Sequence, residues 1–332
     1  MNKRILFIPI VVIVLGIAFL VGMRIYLDRW AEQPLSVAED VVFVVEPAMT
    51  FSTVADKLVA AGVVNGWLFS LRARQRGLQA SVQSGEYQVT ATLTPDTLLD
   101  RLTLGDVVAH RYLIVEGSTS ERVLERLAAD DRVSFDLSGV TVGDLMARLG
   151  LPAGNAEGRF FPDTYLFRRG DKASALLLRA KSKMDTVLAE LWSERSSRVS
   201  FETPYDALIL ASIVEKETAY QPDRALVAGV FVRRLAKGMR LQSDPTVIYG
   251  VGDEFAGSIT RRMLKTDGPY NTYRRYGLPP TPIALPGRAA IEAALNPDDG
   301  EDLYFVARGD GTSQFSKTLE EHNKAVARYQ RR

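Results

Sequence analysis

Two glutamates stand two residues apart at the end of the apolar run Leu208-Ile-Leu-Ala-Ser-Ile-Val-Glu-Lys-Glu-Thr218. Apolar residues at this spacing predict a helix. A helix turns by about 100° per residue. On that wheel Ile209, Leu210, Ile213 and Val214 cluster on one side, and Glu217 falls near the centre of it. Glu215 falls on roughly the opposite, polar side, beside Leu208 and Ser212. A carboxyl at the edge of an apolar pocket loses hydration, so its pKa rises and it can hold a proton near neutral pH. A general acid needs that property. The plainer alternative is that Glu217 is the first exposed residue after the helix leaves the core, since charged residues commonly end helices.

Further along, Gln242, Ser243, Asp244 and Thr246 place four hydrogen-bonding side chains within five positions. Such a set suits gripping hydroxyls, although a plain loop could carry the same residues. Tyr270-Asn-Thr-Tyr273 and Gly277-Leu-Pro-Pro-Thr-Pro-Ile283 follow, stiff and rich in aromatic and amide groups. Upstream, Phe160, Phe161, Tyr165 and Phe167 surround Asp163. Aromatics at this density build a core by default; the alternative is the lining of a sugar groove with Asp163 as a polar contact.

The elements that must position these residues are legible in outline. After a polar break from Ser193 to Thr203 comes the glutamate helix. Pro222 starts a second helix through Val227, Val230, Phe231 and Leu235 to a stop at Gly238. The two would form a hairpin with Glu217 at its junction. A long helix is expected over Asp171–Arg195, with Ala175, Leu176, Leu178, Met184, Leu188 and Leu191 toward the core. Pro286–Pro297 reads as a short capped helix, Leu303–Ala307 as a strand partnered by Gln314-Phe315, and Thr318–Arg331 as a closing helix. Nearer the N-terminus, Val41–Val45 and Arg111–Val115 are strand runs, each followed by a turn and an amphipathic helix, so one strand–turn–helix unit is used twice. Between them lie a helix over Trp67–Gly77, a strand over Ser84–Val89, and a helix capped by Thr94 with Pro95 at its first position. This strand–helix–helix–strand order resembles the LysM type of small carbohydrate-binding module; the alternative is a small spacer that binds nothing.

The 332 residues carry 41 Lys+Arg against 40 Asp+Glu, a net charge of +1, which gives no reason to expect a nucleic-acid partner. Cysteine is absent, which excludes thiol catalysis, thiolate metal sites and disulfides. Only His110 and His322 are present, so a histidine-rich metal site or a histidine-based triad is not expected, and no metal or cofactor is called for. Ile5–Met23 is free of charge over 19 residues, between Lys3-Arg4 and Arg24. That length crosses a bilayer core. No small-x-small cleavage site follows, so an uncleaved anchor is expected. The short Lys-Arg end would stay in the cytoplasm and the rest would be exported, with Ala31–Asp40 as a short tether.

Taken together, Ala211-Ser-Ile-Val-Glu-Lys-Glu-Thr218, Gly238-Met-Arg-Leu-Gln-Ser-Asp-Pro-Thr-Val-Ile-Tyr-Gly250, Tyr270-Asn-Thr-Tyr273, Gly158-Arg-Phe-Phe-Pro-Asp-Thr-Tyr165, Gly277-Leu-Pro-Pro280 and Leu303-Tyr-Phe-Val306 resemble the MltG (YceG-like) family of endolytic murein transglycosylases, in that family's order. The resemblance implies an α+β chain of three parts: a cytoplasmic tip and transmembrane anchor over 1–30, a LysM-like subdomain over 31–112, and a larger mixed α+β catalytic domain with a central helical hairpin over 113–332. It implies cleavage of the bond between N-acetylmuramic acid and N-acetylglucosamine within nascent peptidoglycan strands, on the periplasmic side of the inner membrane. The second Glu of Glu-Lys-Glu-Thr, Glu217, would be the catalytic residue. Asp244 is the nearest motif carboxylate, as an electrostatic or positioning group. Glu215, Gln242, Ser243, Tyr249, Asn271 and Tyr273 are candidate substrate contacts. Each could instead hold the loops in place, and Glu215 could form a helix-surface ion pair. Partnership with strand-making synthases follows from the same resemblance. One departure is visible: family members usually carry a histidine where Gly311-Thr-Ser-Gln-Phe315 has Ser313. Rival readings are a non-catalytic peptidoglycan-binding scaffold for synthases and a lysozyme-type hydrolase with a second essential carboxylate.

Overall fold

A computed structural model describes residues 3–80 and 82–330, and it divides into two compact units. The first comprises the chain up to His110 together with Phe167–Gly170; the second comprises Arg111–Leu166 and the chain from Asp171 onward.

In the first unit, helix α1 spans Lys3–Ala31 without interruption. Its stretch Ile10–Ala31 is long and apolar enough to cross a membrane, with a mean hydropathy of 2.6. The far end of α1 is packed. Leu27 and Ala31 are buried, and Arg72 holds both Asp28 of α1 and Asp96. Strand β1 (Val41–Val45) pairs antiparallel with β2 (Gly85–Val89), with Phe43 opposite Tyr87. Helices α2 (Phe51–Ala60) and α3 (Gly66–Gln75) connect the strands, and α4 (Pro95–Leu104) follows. Each starts on a side-chain cap: Thr50, Asn65, and Thr94 in a reciprocal capping box. A cap of this kind is worth about 1 kcal/mol. Val54, Leu58, Phe69, Tyr87, Leu98 and Leu102 close the core. The expected tether over 31–40 is not loose. Leu35 is buried among these residues, and its N–H donates to the Leu93 carbonyl at 2.7 Å. An apolar side chain at that point in the segment is enough to dock it.

Strand β3 (His110–Leu113) leads into the second unit, followed by α5 (Ser120–Ala128), α6 (Leu145–Arg148) and β4 (Thr164–Phe167), which pairs with β3. Both strand–turn–helix units form, each with a threonine cap, Thr50 and Thr119. Phe160, Phe161, Tyr165 and Phe167 are all buried, so they fill core rather than line a groove. Asp163 is ion-paired with Lys183. Helix α7 runs over Ala173–Ser193. Its buried stripe is Ala173, Leu176, Leu177, Ala180, Met184, Val187 and Leu191. Ala175 and Leu178, expected inside, face solvent. The stripe keeps helical spacing from Ala173 onward, and those two residues lie off it.

Helix α8 (Pro204–Glu217) is the centre of the second unit. Thr203 and Asp206 form its capping box, with Pro204 in the first turn. Every residue from Ala207 to Val214 is buried, so the wheel's polar side does not face water. It is covered by α7, by α9 (Arg224–Ala236) and above all by α12 (Arg288–Leu295). Small residues on α12, namely Ala290, Ala293 and Ala294, permit that close approach. Ser212, fully buried, is satisfied: its Oγ donates to the Ile209 carbonyl at 2.7 Å and accepts the Ile283 N–H at 2.9 Å. Helices α10 (Asp244–Val251) and α11 (Arg261–Lys265) lie between α9 and α12 in sequence. Strands β5 (Tyr304–Ala307) and β6 (Ser313–Ser316) form a hairpin, and α13 (Leu319–Tyr329) ends the described chain.

Candidate active site

Glu217 is the last residue of α8. The helix stops there because Thr218 turns to extended backbone. The Glu217 carboxyl forms part of the wall of a cavity of about 530 Å3 in the second unit, which Gln242, Asp244 and Tyr273 also line. Burial pushes the Glu217 carboxyl up to about 7. A hydrogen bond from Ser243 and the charge of Arg234 pull it down, and nearby Asp244 pushes it up further. Ser243 Oγ donates to Glu217 Oε1 at 2.5 Å.

Ser243 is held from behind. It is buried. Its N–H donates to Thr272 Oγ1 at 3.0 Å, and its carbonyl accepts from Thr246 Oγ1 at 2.7 Å. The Thr246 and Thr272 hydroxyls are 2.8 Å apart. Gln242 precedes it with a φ of 53°, in the left-handed region. Non-glycine residues seldom adopt that conformation, and it persists where surrounding contacts impose it. Here the Gln242 N–H is tied to the Thr272 carbonyl at 3.2 Å. The bend aims Ser243 at Glu217 and starts α10 at Asp244. Tyr273 donates its hydroxyl to Asp244 Oδ1 at 2.6 Å. Burial and the Asp244 carboxylate raise the Tyr273 phenol well above its ordinary range.

Three of the expected contacts lie elsewhere. Glu215 is an almost fully covered carboxylate, not a surface group. It accepts from Arg224 Nη2 at 2.9 Å and from the Gly287 N–H at 3.0 Å. Its side chain is 6% exposed and that of Arg224 11%. A Cβ at Gly287 would meet Glu116 Oε1 at 1.9 Å, so a larger residue there would displace the Glu116 side chain. Tyr249 donates to Glu157 Oε2 at 3.1 Å, and the buried Glu157 also accepts from the Ser120 and Gly158 N–H groups. Asn271 donates to the carbonyls of Met263, Leu264 and Thr266 and accepts from the Tyr273 N–H, which fixes the turn that presents Tyr273. The physical reason is common to all three: each satisfies buried polar groups of another segment, far along the chain for Glu215 and Tyr249 and in the preceding turn for Asn271.

Other cavity residues were not singled out as site residues. Arg234 is 7% exposed, bridges the Leu303 and Leu241 carbonyls at 2.7 and 2.6 Å, and lies over the Tyr304 ring at 5.3 Å. A signal was there: Arg234 sits three residues beyond Phe231 and seven beyond Val227, on the apolar stripe of α9. His322 of α13 stacks on Tyr304 at 5.3 Å. Burial and the charge of Arg234 lower its pKa, which favours the neutral ring. Ser313 lines the same cavity. His110 lies in the first unit, bound to Glu86. Among the described residues no group of three or more His, Cys, Asp or Glu side chains could hold a metal ion. A smaller cavity of about 380 Å3 lies between α10 and α11, lined in part by Glu254, Arg262 and Asp267; it contains none of the α8 carboxylates.

The family model for YceG-like proteins matches residues 43–328, which leaves out α1 but includes Glu217, Gln242, Ser243, Asp244 and Tyr273. The chain belongs to the YceG-like family. This family member is 32% identical over 264 residues to a Bacillus subtilis protein named endolytic murein transglycosylase, covering 74% of this chain and 73% of the relative. It is 28% identical over 312 residues to a protein of that name from Streptococcus pneumoniae strain D39. That match covers 82% of this chain and 55% of the pneumococcal protein, so the chain spans about half of that relative. A crystal structure of a YceG-like protein from Listeria monocytogenes aligns with a TM-score of 0.54 at 29% identity, over 86% of this chain and 99% of the other.

Proposed function

We propose that this YceG-like protein is a membrane-anchored endolytic lytic transglycosylase that cuts the bond between N-acetylmuramic acid and N-acetylglucosamine inside nascent glycan strands. The observation that carries the reading is a carboxyl at the end of a buried helix, in a cavity large enough for sugar rings, with its pKa pushed up to about 7. Such a group is a proton donor near neutrality and becomes a base once it has donated.

Protonated Glu217 gives its proton to the glycosidic oxygen as the bond breaks. The resulting carboxylate accepts the proton of the muramic acid C6 hydroxyl, which attacks the anomeric carbon and closes a 1,6-anhydro ring. No water enters. A hydrolase needs a second carboxylate as nucleophile or base; here the substrate supplies its own nucleophile at high effective concentration. We assign Ser243 to orienting Glu217, and Gln242, Asp244 and Tyr273 to the glycan. Glu215, Tyr249 and Asn271 brace the loops behind them. Asp244, an anion in the same cavity, supports the developing positive charge at the anomeric carbon.

The apolar α1 is proposed as a single-pass anchor in the inner membrane, with the rest on the periplasmic side. The 1–30, 31–112 and 113–332 division is retained as anchor, LysM-like subdomain and catalytic domain with its helical hairpin. The β1–α2–α3–β2 order supports the LysM resemblance. Ending of strand elongation, beside synthases, fits an enzyme held at the membrane where strands are made.

The test is to digest uncrosslinked glycan strands with wild-type protein and with Glu217→Gln and to read the products by mass spectrometry. Internal fragments with anhydro-muramic ends, reduced about 10²–10⁴-fold in rate by the substitution, are expected. Reducing ends would move the reading to a hydrolase with Asp244 as its second carboxylate. Binding without cleavage by either protein would leave the scaffold.

A further inference from the structure

The β5–β6 hairpin is a two-stranded sheet, so among the described residues one edge of β5 is covered by no strand. Hydrogen bonds at both ends of the hairpin tell which backbone groups face that edge. At the turn, the Arg308 N–H donates to the Thr312 carbonyl at 2.9 Å, so this pair points inward. At the other end, the Leu303 N–H reaches the carbonyl of Ser316, the partner of Tyr304, at 3.0 Å, forming a bulge. Inward and outward pairs alternate along an antiparallel ladder. Tyr304 and Val306 therefore turn their N–H and C=O toward β6, and Phe305 and Ala307 turn theirs away. Two neighbours of outward parity agree: the Leu303 carbonyl accepts from Arg234 Nε at 2.7 Å, and the Ser313 N–H, opposite Ala307, donates to Asp223 Oδ2 at 2.7 Å. Among the described residues nothing pairs with the outward groups of Phe305 and Ala307. Tyr304, Phe305, Val306 and Ala307 all line the cavity that holds Glu217. Successive strand side chains point to opposite faces, so four in a row share one cavity only where it follows the strand's edge.

We propose that this edge is a docking strand for the peptide stem carried by the muramic acid at the scissile bond, paired through its main chain along Phe305–Ala307. The inference rests on the function proposed above. Two outward residues on one strand offer two N–H/C=O stations about 7 Å apart. A stem of several linked amides presents successive N–H and C=O groups along its length and can satisfy both stations. An acetamido group has a single N–H and a single C=O on one short arm, and it satisfies one station. The stem hangs from the muramic sugar, whose anomeric carbon must sit at Glu217. An edge in the wall of the same cavity is therefore where the stem would lie.

The experiment uses full-length Glu217→Gln protein in detergent and measures hydrogen exchange at the Phe305 and Ala307 amides. The probes are uncrosslinked glycan strands with their stems and the same strands stripped of peptide by an amidase. Stem-bearing strands are expected to slow both amides by about tenfold or more, and stripped strands to leave them fast. The Tyr304 and Val306 amides, already in the ladder, serve as internal references. In wild-type kinetics, kcat/KM on stem-bearing strands should exceed that on stripped strands about tenfold, mostly through KM. Ala307→Pro removes one outward N–H and leaves the ladder intact, as proline on an edge does. It should collapse that ratio toward one, whereas Ala307→Ser should keep it. Equal protection by both strands would overturn the proposal in favour of sugar acetamido groups, and equal cleavage of both by wild type would overturn it outright. Protection by stems with no cleavage by wild type would keep the docking strand and discard the transglycosylase reading.

Discussion

Glu215 and Glu217 leave the same helical turn in opposite directions. Burial raises the pKa of both. The surroundings of Glu215 answer that burial with a guanidinium and a backbone N–H. The surroundings of Glu217 answer it with one serine hydroxyl and leave the rest of the carboxyl to a cavity. A carboxylate whose lone pairs are taken is a strut. One with an open hemisphere is a reagent. Glu157 sits with the first kind, since burial raises it too but four hydrogen bonds enclose it.

The contrast can be broken experimentally. The largest effect is the loss of cleavage in Glu217→Gln, with the fold retained. The next is on stability: Glu215→Ala leaves the Arg224 guanidinium buried without its carboxylate and should cost about 3–5 kcal/mol in urea unfolding of the full chain. Glu215→Gln keeps an acceptor for the Gly287 N–H and should cost about half that. If Glu215→Ala instead unfolds like wild type while losing activity, Glu215 is a reagent after all.

Substitution at Glu217 should have the opposite effect on stability. Its folded pKa of about 7 lies above the ordinary 4.5. Below pH 4.5 both folded and unfolded chains hold the proton, and the contribution to stability is complete. As pH rises toward 7 the unfolded chain has released the proton that the folded chain keeps, and stability is lost, by up to about 3 kcal/mol. Glu217→Gln removes this titration. Its advantage over wild type in thermal unfolding should grow from pH 4.5 to 7 and level off above. The same proton sets the alkaline limb of kcat/KM, which reports the free protein and should fall through about pH 7. The smallest effect sharpens the comparison: Ser243→Ala deletes the one bond that favours the Glu217 carboxylate, so the limb should move up by roughly half a unit to one unit. A limb that stays in place would mean Ser243 does not hold the carboxylate.

Much of this site could be read from local pattern. The apolar run into Glu217, the cap at Thr94-Pro95 and the Pro222 start are all short-range signals, and helices begin near them. The wheel puts Glu217 on the apolar side of its helix, and the structure buries its carboxyl against Ser243. The wheel misjudged Glu215 because that side is covered by Gly287 and Arg224, a closure no 3.6-residue period encodes. Tyr249 and Asn271 carry polar groups suited to sugars, and only the fold shows that Glu157 and the carbonyls of residues 263–266 occupy them. His322 entered the site unannounced for the same reason: α13 packs beside β5, and a single histidine on an amphipathic helix gives no local sign of its neighbour.

The junction between α1 and the first unit has a mechanical consequence. Leu27, Ala31 and Leu35 are packed and Asp28 is clamped by Arg72, so the helix passes into the folded unit with no slack. With α1 across the bilayer, as proposed above, the anchor works as a post and not a leash. A ten-residue coil would let the unit roam by about 15–20 Å. A post leaves only tilt and spin about the membrane normal. Two glycines inserted after Ala31 would turn the post into a leash, and any property that depends on the height of the first unit above the lipid would then lose its definition.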